Sequence, residues 1–260
     1  MLIPSEELLK IADQAGKEIL AYYDEAIEIE TKQDQSPLTK ADLAAHHVIV
    51  DSLKELTPNI PIISEESGVP AFDVRGSWKQ FWLVDPLDGT KEFIKKNGEF
   101  TVNIALIANE IPVFGVVYIP AKNITYYGQK GHGSFKIDSS GNKKQIFSGQ
   151  PDIQKTLKVV TSRSHKSDQL EEKLSRYGIK IGEQIPAGSS LKFCLVAEGE
   201  ADLYPRMGPT MEWDTAAGDA VYRYAGRNGA NPSPLRYNKP DLKNGSFIIG
   251  VDTGGVTPKF

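Results

Sequence analysis

The chain has 260 residues, with 30 Lys and Arg against 34 Asp and Glu; a net charge of −4 argues against general affinity for nucleic acid. Hydrophobic residues make up 40% and charged residues 25%, which suits a soluble globular protein with one large or two modest cores. The single cysteine, Cys194, excludes an intrachain disulfide and fits a reducing compartment. In chain order, "MLIPSEELLKIADQ" lacks the basic region and apolar core of a signal peptide. Residues 5–25 read as an amphipathic helix, with Ser5 at its N-cap, Glu6 and Glu7 in its first turn, and Leu8, Ala12, Ala15, Ile19 and Tyr22 at helical spacing. "ETKQDQSPLTKAD" is polar and holds a proline, so it reads as a loop or short hairpin. A second helix is expected from about Thr39 to Leu56, with Leu43, Val50, Leu53 and Leu56 among its apolar positions. "TPNIPIISEESG" gives a short strand at 60–63 that runs into an acidic turn.

"FWLVD" is a continuous apolar strand. "EFTVNIALIAN", "VFGVVYIP", "NITYYGQ" and "GHGSFKI" are rich in β-branched and aromatic residues with turn signals between them, and they predict an antiparallel meander. "DSSGNKK" reads as a hairpin tip. Near residue 155 strands and helices begin to alternate: "LKVVTS", a helix closed by Gly178, "KIGEQI", a helix closed by Gly199, "ADLYPR", and a helix closed by Gly226. The expected plan is an α+β half over 1–155 and an α/β half over 156–260, with a site in the cleft between them. No apolar run approaches the ~20 residues that span a bilayer. The expected location is therefore the cytoplasm, and attachment to the cytoplasmic face of the inner membrane stays open.

Three acidic clusters end apolar segments: Glu65 and Glu66 after "PIIS", Asp85 and Asp88 after "FWLV", and Asp214 after "GPTMEW". Two carboxylates as close as Asp85 and Asp88 repel, and no lysine or arginine lies between them. If the clusters converge, they make an all-oxygen cage suited to Mg²⁺ or Mn²⁺. Pro86 stiffens the turn, so the Leu87 carbonyl could face a metal as well. Gly89 and Thr90 open a short helix, whose first N–H groups suit a phosphate. An EF-hand fits poorly, because Pro86 follows Asp85 and the glycine comes fifth. Zinc fits poorly too, since His46, His47, His132 and His165 show no ligand spacing.

Each piece has a plainer reading. Asp88 and Asp214 suit helix N-caps, Asp85 suits a turn, Glu65 and Glu66 suit a solvated turn, and Thr39 to Asp42 is a capping box. Cys194 lies in an apolar helical run and reads as core. The metal reading rests on the pieces occurring together.

"SEES" at 64–67, "WLVDPLDGTKEF" at 82–93, "WDTAAG" at 213–218 and "SPLTKAD" at 36–42 resemble the signatures of the inositol monophosphatase superfamily, in order, across nearly the whole chain. "GTKEFIKKNGEFTVNIALI", "TSRSH" and "GSSLKFCLVAEGEADLYPRMGPT" are similar to its 3'(2'),5'-bisphosphate nucleotidase branch. The resemblance implies a layered αβαβα sandwich of the sugar-phosphatase type, with both α/β and α+β parts. It implies two Mg²⁺ ions, replaceable by Mn²⁺ and antagonised by Li⁺. One would be held by Glu65, Asp85 and the Leu87 carbonyl, the other by Asp85, Asp88 and Asp214. Asp42 matches a position that supports a third ion. Glu65 and Thr90 would orient the attacking water, and Gly89 and Thr90 would hold the phosphate.

Inositol-type relatives carry Glu where this chain has Arg206, and a cation there favours a second phosphate over a neutral polyol. Arg206 also suits a surface ion pair. Lys192, Ser189 and Ser190 are further substrate candidates, with Ser162, Arg163, His165 and Asp34 as weaker ones. The implied reaction removes the 3'-phosphate of adenosine 3',5'-bisphosphate, and 3'-phosphoadenylyl sulfate is a second implied substrate. Two alternatives remain: an inositol or sugar monophosphatase of the same fold, and a catalytically silent metal or nucleotide sensor. The expected partner is a small nucleotide bisphosphate, met by a monomer or homodimer.

Overall fold

Continuous apolar strands need cover on both faces, and the fold supplies it. The structure, a computed structural model, describes residues 4–24, 29–31, 37–163 and 170–251. Helix α1 is Ser5–Ala21, the short pair β1 (Ile29–Thr31) and β2 (Pro37–Thr39) is antiparallel, and α2 is Lys40–Leu56. Strand β3 (Ile62–Ser64) and the single turn α3 (Phe72–Arg75) lead to β4 (Gln80–Asp88) and α4 (Thr90–Ile94). Strands β5 (Thr101–Ala108), β6 (Ile111–Ile119), β7 (Ile124–Gln129), β8 (Gly133–Ile137) and β9 (Lys143–Ile146) complete a seven-stranded sheet. Its order is sequential from β3 to β9; β3 runs parallel to β4, and every later pair is antiparallel. The meander expected from the turn signals is therefore present.

The period of two along each strand sorts the core. Trp82, Val84, Ile104, Val116 and Tyr118 face α1 and α2, where Leu8, Ala15, Ile19, Ala45, Ile49 and Leu53 are buried. Phe81, Leu83, Ala105, Ile107 and Val117 face the other side. There the cover comes from α6 (Leu191–Ala197) and α7 (Trp213–Arg223). Helix α7 lies almost on the sheet backbone: a Cβ on Gly115 would sit 2.6 Å from the Ala217 carbonyl oxygen, so only glycine fits beneath it.

Beyond α6 and α7 lies a smaller sheet. Parallel β10 (Thr156–Ser162) and β11 (Lys180–Ala187) are joined through a Val159–Leu203 bridge to β12 (Tyr204–Arg206), which pairs with β15 (Phe247–Ile249). Helix α5 (Leu170–Ser175) closes its far face through Leu170 and Leu174 on Leu157 and Val159. The layers are thus αβαβα. Two-residue β13 (Thr210–Met211) and β14 (Lys243–Asn244) pair beside the start of α7.

The structure corrects several local expectations. Pro4, not Ser5, is the N-cap of α1, in extended conformation at φ −62° and ψ 122°, and Ser5 is the first helical residue. The helix closes at Ala21, where Tyr22 and Tyr23 donate to Ile19 and Leu20 in tighter turns. Leu43 is 39% exposed rather than core, because α2 buries the face that carries Ala41, Ala45 and Ile49. Gly226 does not close α7, whose C-cap is Tyr224; a side chain at 226 would strike the Gly229 carbonyl. Gly178 and Gly199 do take left-handed conformations beyond their helices, as expected.

Candidate active site

The acidic clusters converge at the ends of β3 and β4 and the start of α7. Strands β3 and β4 run side by side, and Glu65 donates its N–H to the Val84 carbonyl at 3.0 Å. The register of β4 on β5 slips between Asp85 and Asp88, where Pro86 offers no N–H to the ladder. The slip turns the chain tightly enough for Leu87 N–H to donate to Asp85 Oδ1 at 3.1 Å. Asp214 is the second residue of α7, and its Oδ2 accepts from Met211 N–H at 2.9 Å. Carboxylate oxygens of Glu65, Asp85 and Asp214 all lie within 4.8 Å of one another.

Such crowding is costly for anions. Asp214 is pushed up to about 8 by burial, with the nearby Asp88 and Glu65 charges adding to it. Asp88 is also raised by burial, against the opposing pull of Lys192, Ser190 and Asn103. The donor set is all oxygen, and a divalent cation would relieve the repulsion, so these residues fit a hard metal ion.

Asp88 lies outside that trio and is held by its own network. Thr101 Oγ1 and Asn103 Nδ2 donate to Asp88 Oδ2 at 3.4 and 3.3 Å. Ser189 Oγ donates to the Asp88 carbonyl at 2.8 Å, and Ser190 Oγ donates to the Asp214 carbonyl at 2.9 Å. Gly89 follows at φ 90°, where a side chain would collide with the Ser189 hydroxyl. Asp42 meets both Thr39 and Thr90. Its Oδ2 accepts from Thr39 N–H and Oγ1 at 2.7 and 2.6 Å in a complete capping box, and its Oδ1 accepts from Thr90 Oγ1 at 3.3 Å. Thr90 Oγ1 is also 3.4 Å from the Leu87 carbonyl.

A cleft of about 380 Å³ collects most of the expected residues, from Glu65, Asp85, Leu87, Asp88, Gly89 and Thr90 to Ser189, Lys192, Arg206 and Asp214. Lys192 is only 6% exposed; burial pushes its ammonium down to about 8, opposed by Asp88 and reinforced by Arg206. Its Nζ donates to the Ser189 carbonyl at 2.6 Å. Arg206 donates to the Gly208 and Pro209 carbonyls at 3.2 and 3.3 Å, contacts that bend its guanidinium back along its own strand end. Ser162 lines the cleft. Ser190 is buried behind it. Arg163 forms a bidentate pair with Glu99 at 2.7 and 2.8 Å. Asp34 and His165 fall outside the described residues.

Sequence reasoning missed Lys91, Glu92 and Tyr204, which also line the cleft. Their adjacency to Thr90 and Arg206 was the available signal. It missed Glu212 too. This fully buried carboxylate accepts from Asn238 N–H, Lys239 N–H and Lys239 Nζ at 2.6, 2.9 and 2.7 Å, and so seats the start of α7.

Residues 5–252 match the inositol monophosphatase family. The chain belongs to that family. It is 52% identical over 224 residues to the 3'(2'),5'-bisphosphate nucleotidase CysQ of Salmonella typhimurium, covering 85% of this chain and 87% of that protein. With CysQ of Escherichia coli K12 it shares 49% identity over 252 residues, 95% of this chain and 99% of the relative. Among solved structures, CysQ from Bacteroides thetaiotaomicron superposes with a TM-score of 0.78 at 41% identity, covering 95% of this chain and 97% of that one. The family's layered fold is the one described above. Among the described residues no helix is long and apolar enough to cross a membrane.

Proposed function

We propose that the chain is a Mg²⁺-dependent 3'(2'),5'-bisphosphate nucleotidase that cleaves the 3'-phosphate of adenosine 3',5'-bisphosphate to leave AMP and phosphate. 3'-Phosphoadenylyl sulfate is a second substrate in this reading, and the reaction clears a by-product of sulfate assimilation. One observation carries it: a single cleft is lined both by Glu65, Asp85 and Asp214 and by the cations Lys192 and Arg206. A monophosphate on a neutral polyol needs the first set only.

In this reading Glu65, Asp85 and the Leu87 carbonyl hold one ion, and Asp85, Asp88 and Asp214 the second. Asp42 supports a third, weaker one, Mn²⁺ substitutes, and Li⁺ inhibits. Bound ions supply Lewis acidity, which makes a water nucleophilic near neutral pH and offsets charge on the leaving oxygen. The chain's own residues do the rest. Thr90 Oγ1, directed by Asp42 Oδ1, orients the water together with Glu65 and can accept its proton as its own passes to Asp42. The Gly89 and Thr90 N–H groups hold the reacting phosphate. Arg206 and Lys192 meet the second phosphate, and Arg206 reaches it by exchanging its carbonyl contacts for charge-assisted ones.

Phosphate release from adenosine 3',5'-bisphosphate and from inositol 1-phosphate, each with Mg²⁺, tests the proposal. Faster turnover of the bisphosphate is expected, with inhibition by millimolar Li⁺. Faster turnover of the inositol ester would replace it with an inositol monophosphatase, and no turnover of either with a silent sensor.

A further inference from the structure

We infer that Glu99, which lines no part of the cleft wall described above, is a positioning residue: with Arg163 it anchors the 186–190 strap, whose two serines hold the backbones of Asp88 and Asp214. The inference rests on the proposed function for the role of those two aspartates. Glu99 lies just before β5, 8% exposed. Its Oε2 accepts from Gly188 N–H at 2.8 Å and from Arg163 Nε at 2.7 Å, and its Oε1 accepts from Arg163 Nη2 at 2.8 Å. Arg163 completes the anchor from the end of β10, with Nη2 donating to the Pro186 carbonyl at 2.9 Å and its N–H to the Ala187 carbonyl at 3.3 Å. Gly188 fits tightly here: a Cβ would stand 2.9 Å from Glu99 Cβ and 2.8 Å from the Glu99 carbonyl oxygen.

The anchored segment then does something unusual. Ser189 adopts φ 46°, a left-handed conformation that a non-glycine residue holds only when its surroundings impose it. That turn sends consecutive hydroxyls to two distant parts of the chain. Ser189 donates to the Asp88 carbonyl on the meander side, and Ser190 donates to the Asp214 carbonyl at the start of α7. Asn103 Nδ2 ties the two ends together, donating to Ser190 Oγ at 2.9 Å and to Asp88 Oδ2 at 3.3 Å. The spacing between Asp88 and Asp214 is therefore set through the strap, and the strap is set by Glu99. Ser189 and Ser190 have their hydroxyl protons committed to these carbonyls, so they position ligands rather than bind substrate. Arg163 is likewise an anchor rather than a nucleotide contact.

The test compares the full-length wild type with Glu99→Ala and Glu99→Gln. Amide hydrogen exchange over 186–192 reads the strap directly, whatever the chain hydrolyses. Mn²⁺ titration followed by electron paramagnetic resonance reads the aspartates apart from turnover. Glu99→Ala should speed exchange in that segment, weaken Mn²⁺ binding and lower kcat with the bisphosphate by about 10- to 100-fold, the range for residues that orient metal ligands. Glu99→Gln keeps an oxygen for Gly188 N–H and Arg163 Nε but turns an NH2 towards Arg163 Nη2, so it should recover part of each. Unchanged exchange in Glu99→Ala overturns the inference. So does Mn²⁺ affinity that stays at the wild-type value while activity falls only with the folded fraction. Wild-type protein that binds no Mn²⁺ and cleaves no bisphosphate would defeat the proposed function instead, and the exchange comparison would still decide the strap.

Discussion

The acidic and the cationic parts of the cleft are built in different ways. Most of the acidic part comes from the ends of two paired strands, with Asp214 added by α7. Glu65 follows β3, Asp85 and Asp88 lie in the last part of β4, and Thr90 opens α4, so neighbouring strands bring them together. The cationic part is assembled from separate elements: Lys192 on α6 and Arg206 on β12. Strand ladders fix the first part; packing and carbonyl contacts fix the second. A set held on paired strands suits chemistry that tolerates little movement. A set built from separate elements can change one residue at a time, which suits substrate choice.

The largest expected effect tests the acidic part. Asp85→Asn should lower Mg²⁺-dependent turnover by about a thousandfold or more, since the Lewis acidity of a bound ion is worth several kcal/mol. The metal-free variant should melt no lower than wild type, because it removes the buried member of three crowded carboxylates. A variant that keeps full turnover would remove the metal mechanism. Next, Arg206→Glu tests the cationic part. The ratio of kcat/KM for adenosine 3',5'-bisphosphate over inositol 1-phosphate should fall about 10- to 100-fold, the worth of a charge-assisted contact of roughly 1.5–3 kcal/mol. An unchanged ratio would assign substrate choice to other residues.

Metal removal separates the two parts by stability. Adding Mg²⁺ to chelator-treated protein should raise Tm, by about 2.7 kcal/mol of linkage at 100 times Kd. The increase should vanish in Asp85→Asn and persist in Arg206→Glu.

The smallest effect concerns the Glu99–Arg163 pair. Burial opposes ionisation of Glu99, but the Arg163 guanidinium, the Gly188 N–H and Lys122 override it and hold the carboxyl below its usual value. A carboxylate with a lowered folded pKa adds stability above its unfolded pKa and loses it as pH falls through the folded value. Arg163 is partly exposed and solvent-screened, so the contribution is modest, on the order of 1 kcal/mol. The Tm gap between wild type and Glu99→Ala should be full at pH 7 and shrink as pH falls from the ordinary glutamate range through the lowered folded value. A gap that does not change with acid would mean that the charge contributes nothing.

Signals in the sequence are legible where the physics is local. The period of two in the meander, the left-handed Gly178 and Gly199, and the Thr39–Asp42 capping box depend on residues a few positions apart. Helix ends are less legible: Pro4 replaces Ser5 at the cap, and Gly226 packs against Gly229. Asp42 had two competing readings as a cap or a site residue, and one carboxylate meets both: Oδ2 caps α2 and Oδ1 reaches Thr90.

By itself, the sequence determined the meander, the helices that cover it, the family and the acidic stretch from Asp85 to Thr90. Each of these is written in spacing or in contiguous residues. Only the tertiary structure decided that Glu65 and Asp214 meet Asp85, that Glu212 seats α7, and that two adjacent serines tie Asp88 to Asp214. Those contacts join residues up to more than a hundred positions apart. They form because packing α7 against Gly115 and turning Ser189 at positive φ bring separate elements to one point, which no local pattern encodes.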